Sequence, residues 1–313
     1  SGESRLLYSK LDNNGSIITG NKFVSSGIIQ FREFTRIDYD NSIHLYVLAH
    51  FNDGLNFMRL NFVGDIIAGP FTFPYFTGRT TDIAVEKDTG ILHILTQGGN
   101  SGTNVFYHKI DKNGNILINE LQISPLGGTY LASLALDPSR NAHIFWFDNQ
   151  QNPGFRYSKV DSSGNIVINN MPLYDGGWVY TSAAIDINNN LHALSSNDYV
   201  QLSSDGTKLI EKTLPLHVEN RNPIAVNKDD QKGIIHISTT TSEKVYYSLL
   251  NNTADFLIDE MLLINTPGND VSFNTAVDLY DNLHLIFSYV NFSQTNPNQE
   301  IYYQKLFIQK PSS

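Results

Sequence analysis

The 313-residue chain contains no cysteine. Disulfide frameworks and thiolate chemistry are therefore excluded, and compartment is left open, because cytosolic and exported bacterial proteins alike can do without cysteine. No apolar run approaches the roughly 18 residues that a membrane-spanning helix needs. Basic residues are few: 21 Lys and Arg stand against 31 Asp and Glu, for a formal charge of −10 and a pI near 5.3. They do not cluster. Nucleic acids and anionic membrane surfaces both select basic patches, so neither is an expected partner. No window sustains a helical apolar period. Tryptophan occurs only as Trp146 and Trp178.

What is plentiful is Tyr and Phe, in short segments broken by Asn, Asp and Gly. Residues 155–196 show the unit most clearly. Arg156 to Asp161 reads as a strand with an aromatic at its second position. Asp161-Ser-Ser-Gly164 is turn chemistry, in which Asp bonds its own backbone and Gly takes the positive φ of a tight hairpin. Ile166 to Leu173 is rich in β-branched residues. Thr181 to Ile187 and Leu191 to Ser196 follow as third and fourth strands around Asn188-Asn-Asn190. One such meander buries too little to stand alone, so copies must pack face to face.

The copies are visible through an apolar-His-apolar signature at His44, His93, His143, His192, His236 and His284, spaced by 49, 50, 49, 44 and 48 residues. Asp38, Asp137, Asp186 and Asp278 stand six residues before their His, Glu86 seven and Asn227 nine. Each acid is expected to hold its His in a buried hydrogen bond between two strands. A recurring His is a feature of the fold; the six copies belong to separate units and make no metal site. A second signature is the aromatic series Tyr8, Phe57, Tyr107, Tyr157, Tyr199, Tyr247 and Tyr303, each ahead of a hairpin such as Asp12-Asn-Asn-Gly15 or Asp111-Lys-Asn-Gly114. These spacings fit hairpin turns and lack the alternating acids of a calcium loop.

A four-strand repeat of this length predicts an all-β chain: a six-bladed β-propeller of four-stranded antiparallel blades. The whole chain, 1–313, reads as one domain, with repeats at about 33–80, 81–131, 132–180, 181–221, 222–272 and 273–313 plus 1–32. The N-terminal strands are expected to join the C-terminal blade and close the ring. Seven third-strand copies against six of every other strand leave one over.

The hairpins resemble the Asp box of sialidase-like propellers, Ser-x-Asp-x-Gly-x-Thr-Trp. Here Ser158-Lys-Val-Asp161-Ser-Ser-Gly164-Asn-Ile166 has a spacing one residue longer and no Trp. The whole chain thus resembles bacterial propellers with Asp-box-like hairpins, a group with sialidase-like and lectin-like members. The resemblance implies the fold and does not imply sialidase activity: the arginine triad, Tyr nucleophile and Asp acid have no placed counterparts.

Departures from the repeat point to a site. Aligning the first strands on their last residues puts Arg36 where the other copies have Ala84, Ala135, Ala184, Ala225 and Ala276. This Arg is expected either to bind ligand or to pair with Asp82 or Glu33. Other departures gather where the first strands begin: Arg32 and Glu33, Arg79 and Asp82, Tyr130, Trp178 and Tyr180, and His217, Glu219 and Arg221. Aromatic planes beside Arg and Glu suit a sugar. The expected activity is recognition of a carbohydrate or glycoconjugate through a face of variable loops. A polysaccharide hydrolase or lyase, with Glu33, Asp82 and Glu219 or Tyr180 and His217 as its acids and bases, is the alternative. A protein-interaction scaffold, or a module of a larger surface protein, is the third. No cofactor or metal is expected. Asn-rich turns suggest a secreted or cell-surface bacterial protein; Ser1-Gly2 reads as the scar of a removed tag, so an export leader is expected to have been cut.

Overall fold

The computed structural model describes residues 4–12, 15–27, 36–42, 44–51, 54–74, 79–98, 104–125, 129–149, 153–175, 181–217, 224–226, 235–241, 244–265, 269–277, 282–290 and 299–306. β1 (Ser4–Leu11) and β2 (Ile17–Gly27) form a two-stranded antiparallel sheet. β3 (Arg36–Tyr39), β4 (Leu45–Phe51), β5 (Gly54–Leu60) and β6 (Ile66–Phe73) pair in that order as the first four-stranded sheet. The second is β7 (Arg79–Val85), β8 (Leu92–Gly98), β9 (Asn104–Ile110) and β10 (Ile116–Gln122). The third is β11 (Thr129–Leu136), β12 (Ala142–Asp148), β13 (Gly154–Val160) and β14 (Ile166–Asp175). The fourth is β15 (Thr181–Ile185), β16 (Leu191–Ser195), β17 (Asp198–Leu202) and β18 (Lys208–Thr213). The fifth is β19 (Ile224–Val226), β20 (Ile235–Thr240), β21 (Lys244–Leu250) and β22 (Phe256–Asn265). β23 (Asn269–Val277), β24 (Leu283–Val290) and β25 (Gln299–Leu306) make the last.

These meanders are the blades of a six-bladed β-propeller, as the repeat predicts. Among the described residues β25 pairs with β24 alone and β1 with β2 alone, so the expected closing pairing is not among the strand pairings described. The chain divides into two compact units, residues 1–152 with 156–171 and residues 153–155 with 172–313.

Within each unit, middle strands are covered on both faces, and β8 and β12 are buried at every residue. Outer strands are half-buried at every second or third residue and exposed between, as one-sided burial of a bulged strand requires. In the first unit Tyr46, Leu48 and Phe57 of one blade share a core with Ile83, Val85 and Leu92 of the next, and Leu95 and Tyr107 with Leu134, Ile144 and Trp146. In the second, Leu194 and Tyr199 pack with Ile224, Val226 and Ile237. Each such side chain is worth about 1.5–3 kcal/mol of burial.

The two sequence signatures meet in the core. Nε2 of His93 lies 3.0 Å from Glu86, and Nε2 of His143 and His192 lie 3.2 Å from Asp137 and Asp186. A carboxylate only accepts, so Nε2 carries the proton and Nδ1 is left to accept from a tyrosine hydroxyl. Tyr107, Tyr157 and Tyr199 supply it at 2.7 Å, Tyr247 at 2.9 Å and Tyr303 at 2.8 Å. In the second to sixth blades the tyrosine of the third strand and the His of the second are thus one bonded pair, a link the sequence reading did not make.

The first blade departs from this, and two sequence assignments change with it. Asp40, not Asp38, is the acid: its carboxylate accepts from His44 N, as Asp137 and Asp186 accept from Asn141 N and Asn190 N. Its partner six residues on is Tyr46, whose hydroxyl reaches Asp40 at 3.0 Å while its ring stacks on Phe57. His44 stands where the other turns have Asn. Consequently Asp38, paired with Tyr46, takes the position of Ala84 opposite His93; Arg36 lies two residues earlier, opposite Leu48. A slip of two residues preserves strand alternation, so apolar patterning alone does not reveal it.

The hairpins are three-residue turns closed by a left-handed residue. Gly114 N reaches Asp111 O at 3.0 Å with φ +84, and its hydrogen faces Phe71 of the preceding blade so closely that a Cβ would sit 2.6 Å from the ring. Ala254 fills the same role in the fifth blade at φ 56. Six residues beyond the hairpin, Asn21, Glu120, Asn170 and Glu260 also take positive φ and bulge the outer strand. Their N–H groups donate to Ser9, His108, Ser158 and Ser248, each next to a tyrosine of the aromatic series.

Candidate ligand-binding site

The innermost strands carry a polar row. Arg36, Asp82, Ser133, Ser182 and Asn274 share one register position, opposite Leu48, Leu95, Phe145, Leu194 and Ile286. Among the described residues, innermost strands of successive blades do not pair through their backbones, so their outward N–H and C=O groups need side-chain partners. The row supplies them. Asp82 accepts from Leu134 N at 2.8 Å and from Ile83 N at 2.9 Å. Ser182 accepts from Ile224 N at 3.0 Å, and Arg36 Nε donates to Thr81 O at 2.9 Å. Asp38, one position along the same face, accepts from Val85 N at 2.7 Å and pairs with Lys87 at 2.7 Å. Sequence reasoning assigned Asp38 to the core His series and did not single out Ser182; the signal that places them is register counted from the acid of each core pair.

Burial pushes the Asp82 carboxyl up to about 6; the Arg36 charge and the two N–H donors work against that rise, and Asp38 adds to it. The Arg36 charge is thus felt at Asp82, but Nε of Arg36 and the carboxyl of Asp82 each bond backbone groups. Both oxygens of Asp82 are engaged by backbone, and Arg36 serves the neighbouring strand.

The seam between β7 and β11 is different. Thr129 is fully buried, yet its hydroxyl has no hydrogen-bond partner among the described residues. Thr80 and Ser133 also carry buried hydroxyls without a partner there, but Thr80 shares the Ile94 face of its blade and Ser133 the Phe145 face, so both look away from this seam. The side-chain amide of Gln97, at the end of β8, crosses to the carbonyl of Thr129. Thr129 and Gln97 lie toward the end of the blades where β7 and β11 begin. Arg79 and Tyr130 belong to the same stretches, their backbones paired with Gln97 and Phe147. Unpartnered buried hydroxyls are uncommon and cost about 1–3 kcal/mol each unless something completes them.

His217 is not at an inner strand. It follows β18 and docks on the outermost strand of the next blade, where its N–H and its ring bond Glu260 and its ring stacks on Tyr246 at 5.8 Å. Arg32, Glu33, Trp178, Tyr180, Glu219 and Arg221 lie outside the described residues. Among the described residues no group of three His, Cys, Asp or Glu side chains could hold a metal ion.

No protein-family model and no curated protein matches the chain. Solved structures do. The BP39L lectin of Burkholderia pseudomallei aligns over 97% of this chain and 95% of its own with a TM-score of 0.61 at 10% identity. All share one fold. A streptogramin B lyase aligns over 88% of this chain and 83% of its own, with a TM-score of 0.57 and 16% identity. Regucalcin of Agrobacterium tumefaciens, a calcium-binding protein, aligns over 86% and 85% with a TM-score of 0.51 and 12% identity. At these identities the likeness is one of architecture, and propellers of one architecture host unlike functions.

Proposed function

We propose that the chain is a ligand-binding propeller, secreted or displayed on a cell surface, that recognises a carbohydrate or glycoconjugate through the end of the blades bearing the variable loops. The observation that carries this reading is the β7–β11 seam: Thr129 is a buried hydroxyl with no partner among the described residues, beside the amide of Gln97 and the carboxyl of Asp82. Sugar hydroxyls donate and accept at once, and such a surface completes both roles. The lectin among the structures of the same fold is in keeping with the reading.

The test is a broad glycan array probed at neutral pH with the purified protein, with Thr129→Val, Arg36→Ala and Trp178→Ala as variants. Discrete hits that disappear in Thr129→Val, with an unchanged melting temperature, are the expected result. Hits indifferent to Thr129→Val, or an empty array, would overturn the assignment and shift attention to a protein partner.

A further inference from the structure

Three blade interfaces repeat one apolar contact. Leu48 shares a hydrophobic cluster with Ile83, Leu95 with Leu134, and Leu194 with Ile224. In each pair the first residue lies two positions beyond the core His, or Tyr46 in its place, and the second lies directly before the residue facing that His or Tyr. The corresponding pair of the fifth and sixth blades is Ser238 and Thr275. Both members of the contact have become hydroxyls. Their oxygens are buried and have no partner among the described residues, nor does the oxygen of Thr240, which shares the face of β20 with Ser238. Ser238 is 1% exposed and Thr240 fully buried.

Exchanging Leu for Ser removes apolar bulk as well as adding a polar group, and a packed interior does not fully collapse around such a change. Two coordinated departures that leave three hydroxyls unbonded break the rule of the repeat with no local compensation, which is how functional positions stand out. We propose that the seam between β20 and β23 is a binding site for a small neutral polyhydroxylated molecule. Neutral follows from the three side chains at the contact, Ser238, Thr240 and Thr275, which bring no carboxylate and no ammonium group to match a buried charge. Hydroxyls follow from the lining, which donates and accepts in equal measure. The proposal stands apart from the β7–β11 seam and does not depend on it.

The test is ligand-observed saturation-transfer NMR on the full chain with free hexoses, 6-deoxyhexoses, N-acetylhexosamines and glycerol as probes. Ser238→Leu/Thr275→Ile restores the contact of the other interfaces. The expected result is saturation transfer to at least one probe from the wild type, at least a tenfold weaker affinity in the double variant, and a melting temperature that is equal or higher. Ser238→Ala and Thr275→Val give the same readout should the double variant fail to fold. No transfer to any probe, or wild-type binding by the variants, overturns the proposal. Binding lost in Thr129→Val but kept in Ser238→Leu/Thr275→Ile also overturns it, while leaving the β7–β11 site standing.

Discussion

The hydroxyl of Tyr157 lies 2.7 Å from Nδ1 of His143, whose other nitrogen holds Asp137 at 3.2 Å. All three side chains are buried, so the chain of bonds links the first, second and third strands of a blade where water cannot substitute. Replacing Tyr157 by Phe leaves Nδ1 without its donor. The expected loss is about 1–3 kcal/mol by urea denaturation. The same change at Tyr303, which is half-buried, should cost less. Equal losses at both sites would show that burial does not set the value of the bond.

Acid should unfold the protein in two stages. Burial holds His93 and His143 below the ordinary imidazole range, despite the carboxylates beside them. Their folded pKa is depressed, so the neutral-His contribution is present above about 6.5 and lost as pH falls below it. Burial tends to raise Glu86 and Asp137, but bonds from His93 and Thr89 to Glu86, and from His143 and Asn141 to Asp137, outweigh it and hold each at about 2. Their contribution is present above their unfolded values and lost as pH falls toward 2. Melting temperature against pH should therefore decline from about 6.5 downward and steepen below about 4.5. A flat profile from pH 7 to 4 would exclude the histidine stage.

Asp82 has the opposite sign. Its folded pKa is raised to about 6, so the neutral acid is the form the fold prefers, and stability is lost as pH rises from the unfolded value through 6. Asp82→Asn should raise the melting temperature at pH 8, with the gain vanishing below about pH 4. A variant less stable than wild type at pH 8 would mean that the ionised carboxylate is needed by Leu134 N and Ile83 N.

Gly114→Ala tests the hairpin contact separately from its backbone. Ala254 shows that a left-handed alanine is tolerated in the same turn. At Gly114 a Cβ would meet the Phe71 ring at 2.6 Å. Gly114→Ala is expected to cost about 1–3 kcal/mol. Phe71→Leu/Gly114→Ala should recover part of the loss relative to the sum of the single changes. Strict additivity would assign the cost to φ alone.

The fold was legible because it is written many times over. The His, the tyrosine and the Asp-x-x-Gly turn recur at steady intervals, so one ambiguous copy is corrected by the rest. The first blade escaped that correction. His44 mimics the signature, and the true partner, Tyr46, is a different residue two places on. A shift of two leaves inside and outside unchanged, so only the hydrogen bonds of Asp40 reveal it. The site was less legible. Arg36 and Asp82 stood out by charge, yet charge at an innermost strand also serves the backbone next door. The Ser238–Thr275 exchange needs knowledge of which residues face each other across two blades, and a single strand pattern does not carry that.

The outer strands hold a last consequence. A sheet edge recruits foreign strands when its N–H and C=O groups form an uninterrupted row. Asn21 breaks that row in the two-stranded sheet, Glu120, Asn170 and Glu260 break it in three blades, and Gly69, φ +85, does so in a fourth. β18 has no left-handed residue, and there the edge carries Lys208, Glu211 and Lys212 instead. With each of these edges interrupted or charged, exposed aliphatic pairs such as Ile66 and Ile67 can face water beside outer strands that make poor templates for fibrils.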